Sequence, residues 1–333
     1  MKSSILTITV VLLACCSIMG QDLQKVTLFD SAEILDSAYN EYAKDSADYK
    51  LAIEILENVH ESDTNFDLVQ YRKAYYHHLD SNYTTSIALC NYGIKNYINR
   101  KDDFYNLKGL SLKNSEQYEK AIEHYDACIK EYPTNYLYYT NKAQVYKTLE
   151  RFQEAYDSYK LSVKYNPFFA HGYNMMGYIL SLSGQVTASG LCYHSSLFVK
   201  PKASNAYNVI LYVEQVTTSK VKKVDSINIV DPDIPAYFKS IDRILNSRTC
   251  ISSNYKTKSE LNYNIIKTIQ LICEKLEDPK NDQGFYNRYI IRNFNDMWKD
   301  EVFESYSYRT FESLENEYIQ GVVSKKQNEV EKF

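Results

Sequence analysis

The side chains that could do chemistry are few and poorly spaced for it. His77 and His78 are adjacent imidazoles, but neighbours on a helix point to different faces, so they make a poor joint metal site. His60 is followed by Glu61 without the second histidine of a zinc-hydrolase helix. Asp102 and Asp103 stand at an expected helix start, where paired carboxylates cap the chain and favour the dipole. The 9 glycines form no dinucleotide-binding or phosphate-loop pattern, and HExxH, GxSxG and CxxC are absent. Cys90, Cys128, Cys192, Cys250 and Cys273 follow the first twenty residues, and an odd number closes no complete disulfide framework. Cys128 and Cys192 fall on expected buried helix faces, where a thiol acts as a small apolar side chain. A Cys250–Cys273 bridge is the pairing that an oxidising compartment would allow. No catalytic residue, metal or cofactor is assigned.

The elements that must position any site are helical. Only 9 Gly and 6 Pro occur in 333 residues, too few for many loops, while Tyr occurs 33 times. A tyrosine ring fills volume between helices while its hydroxyl reaches a polar edge. The net charge of −4 carries no basic excess, which argues against a phosphate-backbone partner, and none is expected.

Three prolines, Pro133, Pro167 and Pro201, stand 34 residues apart. In the units 102–135, 136–169 and 170–203 the fourth position is Tyr105, Tyr139 and Tyr173. The eighth is Gly109, Ala143 and Gly177, and the eleventh is Leu112, Tyr146 and Leu180. The twentieth is Ala121, Ala155 and Ser189, and the twenty-fourth is Tyr125, Tyr159 and Tyr193. Small residues are needed where two antiparallel helices cross, and large ones fill the space around that crossing. Proline ends the second helix because it lacks an N–H and clashes with a continuing turn. This pattern resembles the tetratricopeptide repeat. The resemblance implies an all-α fold, a right-handed superhelix of helix pairs, with no enzymatic activity. Two degenerate units are visible upstream, at 33–66 (Tyr49, Ala52, Val59) and 67–100 (Ala74, Tyr83, Ser86, Gly93), the latter with Ile98 in place of the closing proline. The solenoid is thus expected over 33–216, with 204–216 as the first helix of an incomplete sixth unit.

Beyond Val216 the period is lost. Residues 217–235 read as a connector. Helices are expected at 236–247, 259–276 and 285–311, the last breaking near Asp300. They form a helical C-terminal region over 236–317, either a cap on the solenoid or a module with its own docking surface, with Trp298 as a core anchor. Residues 318–333 read as a flexible tail.

The first twenty residues read as an export signal: Lys2 is followed by the short apolar run Ile5–Leu13. Two cleavage readings compete. Leu12-Leu13-Ala14-Cys15 has the form of a bacterial lipoprotein box with Cys15 lipidated, and Ile18-Met19-Gly20 before Gln21 has the form of an ordinary cleavage site. No other segment is apolar enough to span a bilayer. The expected location is periplasm or cell envelope.

The resemblance also implies a concave groove lined by the first helix of each pair. Carried onto this chain, its positions include Asn106, Leu110, Lys113, Thr140, Asn141, Gln144, Lys147, His171, Asn174 and Tyr178. Three asparagine amides suit pairing with an extended peptide. The family's clamp for chaperone tails is matched only at Asn141, since His171 and Met175 stand where its cations should be. The expected function is a scaffold or adaptor that binds a protein or peptide. The alternative is a structural subunit of an outer-membrane or secretion assembly, lipid-anchored where Cys15 is the cleavage residue. A hydrolase or carbohydrate-binding protein would have to hide within 236–311.

Overall fold

The computed structural model describes residues 31–43, 48–201, 206–217, 223–248, 252, 254–279, 284–312 and 317–332. The leader with Cys15, and Cys250 with its proposed bridge, lie outside them. The described residues form helices and no strand, and no described helix is long and apolar enough to cross a membrane. The fold is all-α, and the chain divides into two compact units after Arg100.

The first unit is two helix pairs: α1 (Ser31–Tyr42) with α2 (Tyr49–Leu56), and α3 (Phe66–Leu79) with α4 (Tyr83–Asn96). Asp48 and Asn82 cap α2 and α4, each side chain accepting from a backbone N–H three residues on. Ala38, Ala52, Leu56, Val69 and Tyr76 form the core. A short 3₁₀ turn, Ile98–Arg100, stands where the closing proline is missing.

The second unit opens with three further pairs. They are α5 (Lys101–Asn114) with α6 (Tyr118–Glu131), α7 (Tyr136–Thr148) with α8 (Phe152–Tyr165), and α9 (Ala170–Leu182) with α10 (Val186–Val199). The small positions meet where each pair crosses. The Ser189 hydroxyl donates to the Gly177 carbonyl at 2.7 Å, and a Cβ on Gly177 would lie 3.2 Å from the Ser189 carbonyl oxygen. Tyr125, Tyr159 and Tyr193 are wholly or almost wholly buried beside these crossings. Most of the buried tyrosines place their hydroxyls on polar partners. That of Tyr138, for example, donates to Asp102 at 2.7 Å.

The turn inside each of the four later pairs recurs with the repeat. Ser81, Glu116, Glu150 and Gly184 have φ of 59°, 62°, 56° and 78°. In each case the next residue's N–H reaches back to the first helix: Asn82 to His77, Gln117 to Leu112, Arg151 to Tyr146, and Gln185 to Leu180. This is the left-handed C-terminal cap of a helix, which favours glycine. Three of the four turns use a residue with a Cβ at a cost of about 1 kcal/mol each. Glu150→Gly is therefore expected to stabilise the second unit by about 0.5–1 kcal/mol, after allowing for glycine's greater unfolded-state entropy. Thermal unfolding of the variant beside the parent checks this.

α11 (Ala206–Thr217) packs against α10 and against α13 (Asn264–Lys275), so the incomplete sixth unit borrows its partner from the C-terminal region. The other C-terminal helices are α12 (Phe238–Asn246), α14 (Arg292–Lys299), α15 (Phe303–Phe311), α16 (Glu317–Lys325) and α17 (Gln327–Lys332). A π-helical turn, Asn287–Ile291, leads into α14. Three expectations change. The helix read over 259–276 starts only at Asn264, because Ser259 spends its hydroxyl oxygen on the Leu261 N–H and the Ser307 hydroxyl. Trp298 is half-buried, with the Lys258 ammonium 3.8 Å from its ring centroid, rather than sunk in the core. The stretch read as a flexible tail contains α16 and α17, with Val323 and Val330 buried and Lys326 paired with Glu260 at 2.8 Å.

This region covers the second helices of the last pairs. Val230 exchanges two hydrogen bonds with the Gln153 amide on α8. Asp231 accepts from Tyr156 at 2.7 Å and pairs with Lys160 at 2.8 Å. Tyr286 meets the Tyr156 hydroxyl at 3.0 Å. Asp242 caps α10 from outside its own chain segment, accepting from the Thr187 N–H at 2.6 Å. Every residue of α10 from Thr187 to Leu197 is buried. The C-terminal helices act as a cap on this side of the second unit.

Candidate functional site

Because the cap lies over α8 and α10, the first helices α5, α7 and α9 supply the open face of the second unit. The residues that the repeat phase assigns to that face fall into three groups.

Lys113 and Lys147 occupy the same position in successive units. Lys113 is half-buried. Burial, and then the nearby Lys147 ammonium, hold its pKa below the ordinary lysine value. Neither lysine makes an ion pair with another described residue. His171, at the start of α9, is also held below its ordinary value by burial and then by Lys147. Its ring lies edge-on to Phe169 and Tyr159, at centroid distances of 5.8 and 6.2 Å. Three basic groups thus share one region with no carboxylate among the charges that perturb Lys113 or His171.

Asn106 and Asn141 bond to each other, the Asn141 amide donating to Asn106 Oδ1 at 3.0 Å. Asn106 also donates to the Asp102 carbonyl at 3.0 Å. The two amides are therefore partly committed within the protein, which a position-by-position reading did not reveal. Leu110, Gln144 and Asn174 are part-exposed, and Tyr178 is exposed.

Thr140 differs from the expectation. It is buried, and its hydroxyl donates to the Tyr136 carbonyl one turn back, so it offers nothing to a ligand.

Other side chains with chemical potential are committed elsewhere. His124 donates through Nε2 to the Tyr105 carbonyl at 2.8 Å, and burial lowers its pKa to about 4. His194 shares a 2.7 Å hydrogen bond with the Tyr306 hydroxyl, and burial lowers its pKa to about 3. Cys90, Cys128, Cys192 and Cys273 are buried thiols. His77 and His78 do not come together with carboxylates or thiols in a metal-binding group, and no such group exists among the described residues. The row of basic groups Lys113, Lys147 and His171 was present in the sequence. Its lack of neutralising partners could be seen only once the neighbouring helices were in place.

The family model described as tetratricopeptide repeat matches residues 102–135 and 136–169. The small glutamine-rich tetratricopeptide repeat-containing protein 2 of Saccharomyces cerevisiae is 26% identical over 120 residues, which is 36% of this chain and 30% of that protein. Heat shock protein STI1 of the same organism is 33% identical over 76 residues, 22% of this chain and 13% of that protein. The chain thus spans less than a third of the length of the curated relatives it matches. Among solved structures, MamA from Desulfovibrio magneticus RS-1 is 14% identical with a TM-score of 0.36, covering 58% of this chain and 99% of that one. The matched units are those marked by Pro133 and Pro167, and their turns at Glu116 and Glu150 share one left-handed cap. Residues 102–169 of this chain are thus two tetratricopeptide repeats.

Proposed function

We propose that this protein is an interaction scaffold that holds an extended, acid-bearing segment of a partner protein against α5, α7 and α9. The observation that carries the reading is the pair Lys113 and Lys147. Placing one half-buried ammonium near another with no carboxylate between them is unfavourable in the free protein. A carboxylate from a partner relieves both costs, and Gln144 and Asn174 lie on the same first helices to meet backbone groups. This reading assigns the chain no reaction. It includes export to a bacterial envelope, which Lys2 and the run Ile5–Leu13 support. Within that reading, the motif ending at Cys15 supports a lipid-anchored subunit of a larger assembly as the second possibility.

The test is a photo-crosslinker placed at Gln144, followed by mass spectrometry of the captured chain and titration of the identified segment. Charge-assisted hydrogen bonds are worth about 1.5–3 kcal/mol each, so Lys113→Ala with Lys147→Ala is expected to weaken binding roughly a hundredfold. Affinity and salt dependence equal to the parent would remove this face from consideration. The mass of the mature chain distinguishes cleavage before Gln21 from a lipidated Cys15.

A further inference from the structure

A second surface lies where α8 and α10 meet the π-helical turn, with Tyr173 of α9 at its edge and neither Lys113 nor Lys147 in its lining. Two clefts adjoin there, of about 450 and 360 Å³. Arg288 and Tyr289 line both, so they form a common wall rather than belonging to either cleft. Both residues sit in the π-helical turn Asn287–Ile291. A π turn is rare and frequently found at functional sites. Here it keeps Ile290 and Ile291 fully buried while Arg288 stands exposed and Tyr289 part-exposed.

The smaller cleft is apolar, with Phe168, Tyr173, Phe198 and Phe294 among its lining. Phe168 is 83% exposed and stands at the rim of this aromatic lining, so its ring extends an apolar surface open to solvent. Its loop is held by an Asn166 side chain that accepts from the Phe168 N–H at 3.1 Å. The larger cleft is charged. Lys160 there is already neutralised by Asp231 and Asp233, at 2.8 and 2.7 Å. Lys164 and Arg288 are exposed and form no ion pair with another described residue. On a chain of net charge −4, two unneutralised cations beside an exposed aromatic are a local feature, not a consequence of composition.

We propose that these adjoining clefts form a second docking site, for a peptide segment of another protein that places a bulky apolar side chain beside Phe168 and a neighbouring carboxylate on Arg288 and Lys164. Charge complementarity selects this occupant. The guanidinium offers a planar fork that matches a carboxylate, and the apolar cleft is of a size for one aromatic side chain. Asp157 and Asp233 line the larger cleft too, which suits a single placed carboxylate and opposes a dense layer of anionic lipid headgroups. With the lysine row on the first helices, the second unit then engages protein on two separate faces.

The probe is a fluorescein-labelled synthetic peptide of phenylalanine flanked by aspartates, titrated against the full chain by fluorescence anisotropy. Arg288→Glu and Phe168→Ser are both expected to weaken binding about tenfold or more, as is replacing the probe's aspartates by asparagine. In a Lys113→Glu, Lys147→Glu background, where the first face no longer takes an acidic segment, the Arg288- and Phe168-dependent binding is expected to persist within about twofold, which separates this site from the face proposed above. Arg288 and Phe168 are exposed, and unchanged helical circular dichroism verifies each fold. The proposal is overturned by any of three results: no saturable binding of the probe, equal loss in the lysine variant, or no loss in Arg288→Glu and Phe168→Ser. Arg288-dependent binding to phosphatidylserine vesicles in place of the peptide would overturn it in favour of a lipid surface.

Discussion

Gly109→Leu is expected to destabilise the second unit by about 3 kcal/mol or more, lowering its melting temperature by roughly 6–12 °C. A Cβ added at Gly109 would overlap the Tyr125 ring, standing only 2.7 Å from Cε1. Tyr125 has no exposed surface into which its ring could move, and its hydroxyl lies 3.4 Å from the Asn106 carbonyl. The strain must therefore separate α5 from α6, the two helices that make the pair. A second substitution tests the cause. Tyr125→Leu in the same chain removes the ring and should recover part of the loss, because the two residues share one contact. Gly177→Ala should be milder than Gly109→Ala, since its nearest neighbours would lie at 3.0–3.2 Å. Unfolding of Gly109→Leu at the parent temperature would mean that the eighth position does not mark the helix crossing.

The second large effect is on stability in acid. Burial lowers the pKa of His194 to about 3 and of His124 to about 4, against about 6.5 in an unfolded chain. Below pH 6.5 the unfolded chain takes up protons that the folded chain refuses, so stability falls as pH falls. Above about pH 7.5 both imidazoles are neutral in either state and contribute no slope. Below pH 6.5 the cost per histidine approaches about 1.4 kcal/mol per pH unit as the unfolded imidazole fills with protons, so between pH 6.5 and pH 5 the pair removes about 3 kcal/mol. The loss of His194 continues to about pH 3, where its folded pKa lies. Chemical unfolding at pH 7 and pH 5 measures the difference. His194→Gln should lower stability at pH 7 but reduce the slope between pH 6.5 and pH 5 by about half. A slope unchanged by that substitution would assign the acid sensitivity to other groups.

Much of the repeat architecture could be read from residue types because one geometric requirement acts at each of several positions. Only a small side chain fits where Gly177 meets Ser189, and only an aromatic fills the space taken by Tyr125, Tyr159 and Tyr193. Such requirements recur with the unit, so they leave a periodic mark. What was not legible has no period. The left-handed turns at Glu116 and Glu150 carry no glycine to announce them, and only Gly184 follows the usual preference. From Ser81 to Glu116 the spacing is one residue longer than between the later turns, a slip absorbed around the 3₁₀ turn Ile98–Arg100. The helices at 317–332 are short, and their apolar content is too sparse to signal helix without the surface that Val323 and Val330 pack into. Thr140 looked like a groove residue because its position in the unit is right, yet its neighbours bury it. The cleft around Arg288 joins segments more than a hundred residues apart in sequence, which no local pattern records.

The cap over α10 also gives the array a direction of growth. Repeat proteins lengthen by duplication of whole units, and each new unit needs an uncovered neighbour to stack on. Between α5 and α7 that condition holds, and the 34-residue phase would pass through an added unit without disturbing its flanks. At the far end it does not. α8 is already held by Val230, Asp231 and Tyr286, α11 packs against α13, and α12 lies on α10 with Asp242 capping its first turn. A duplication placed there would have to displace the C-terminal helices before it could fold. Lineages of this chain should therefore differ in repeat number upstream of residue 136 and keep the last two pairs and their cap as one inherited block.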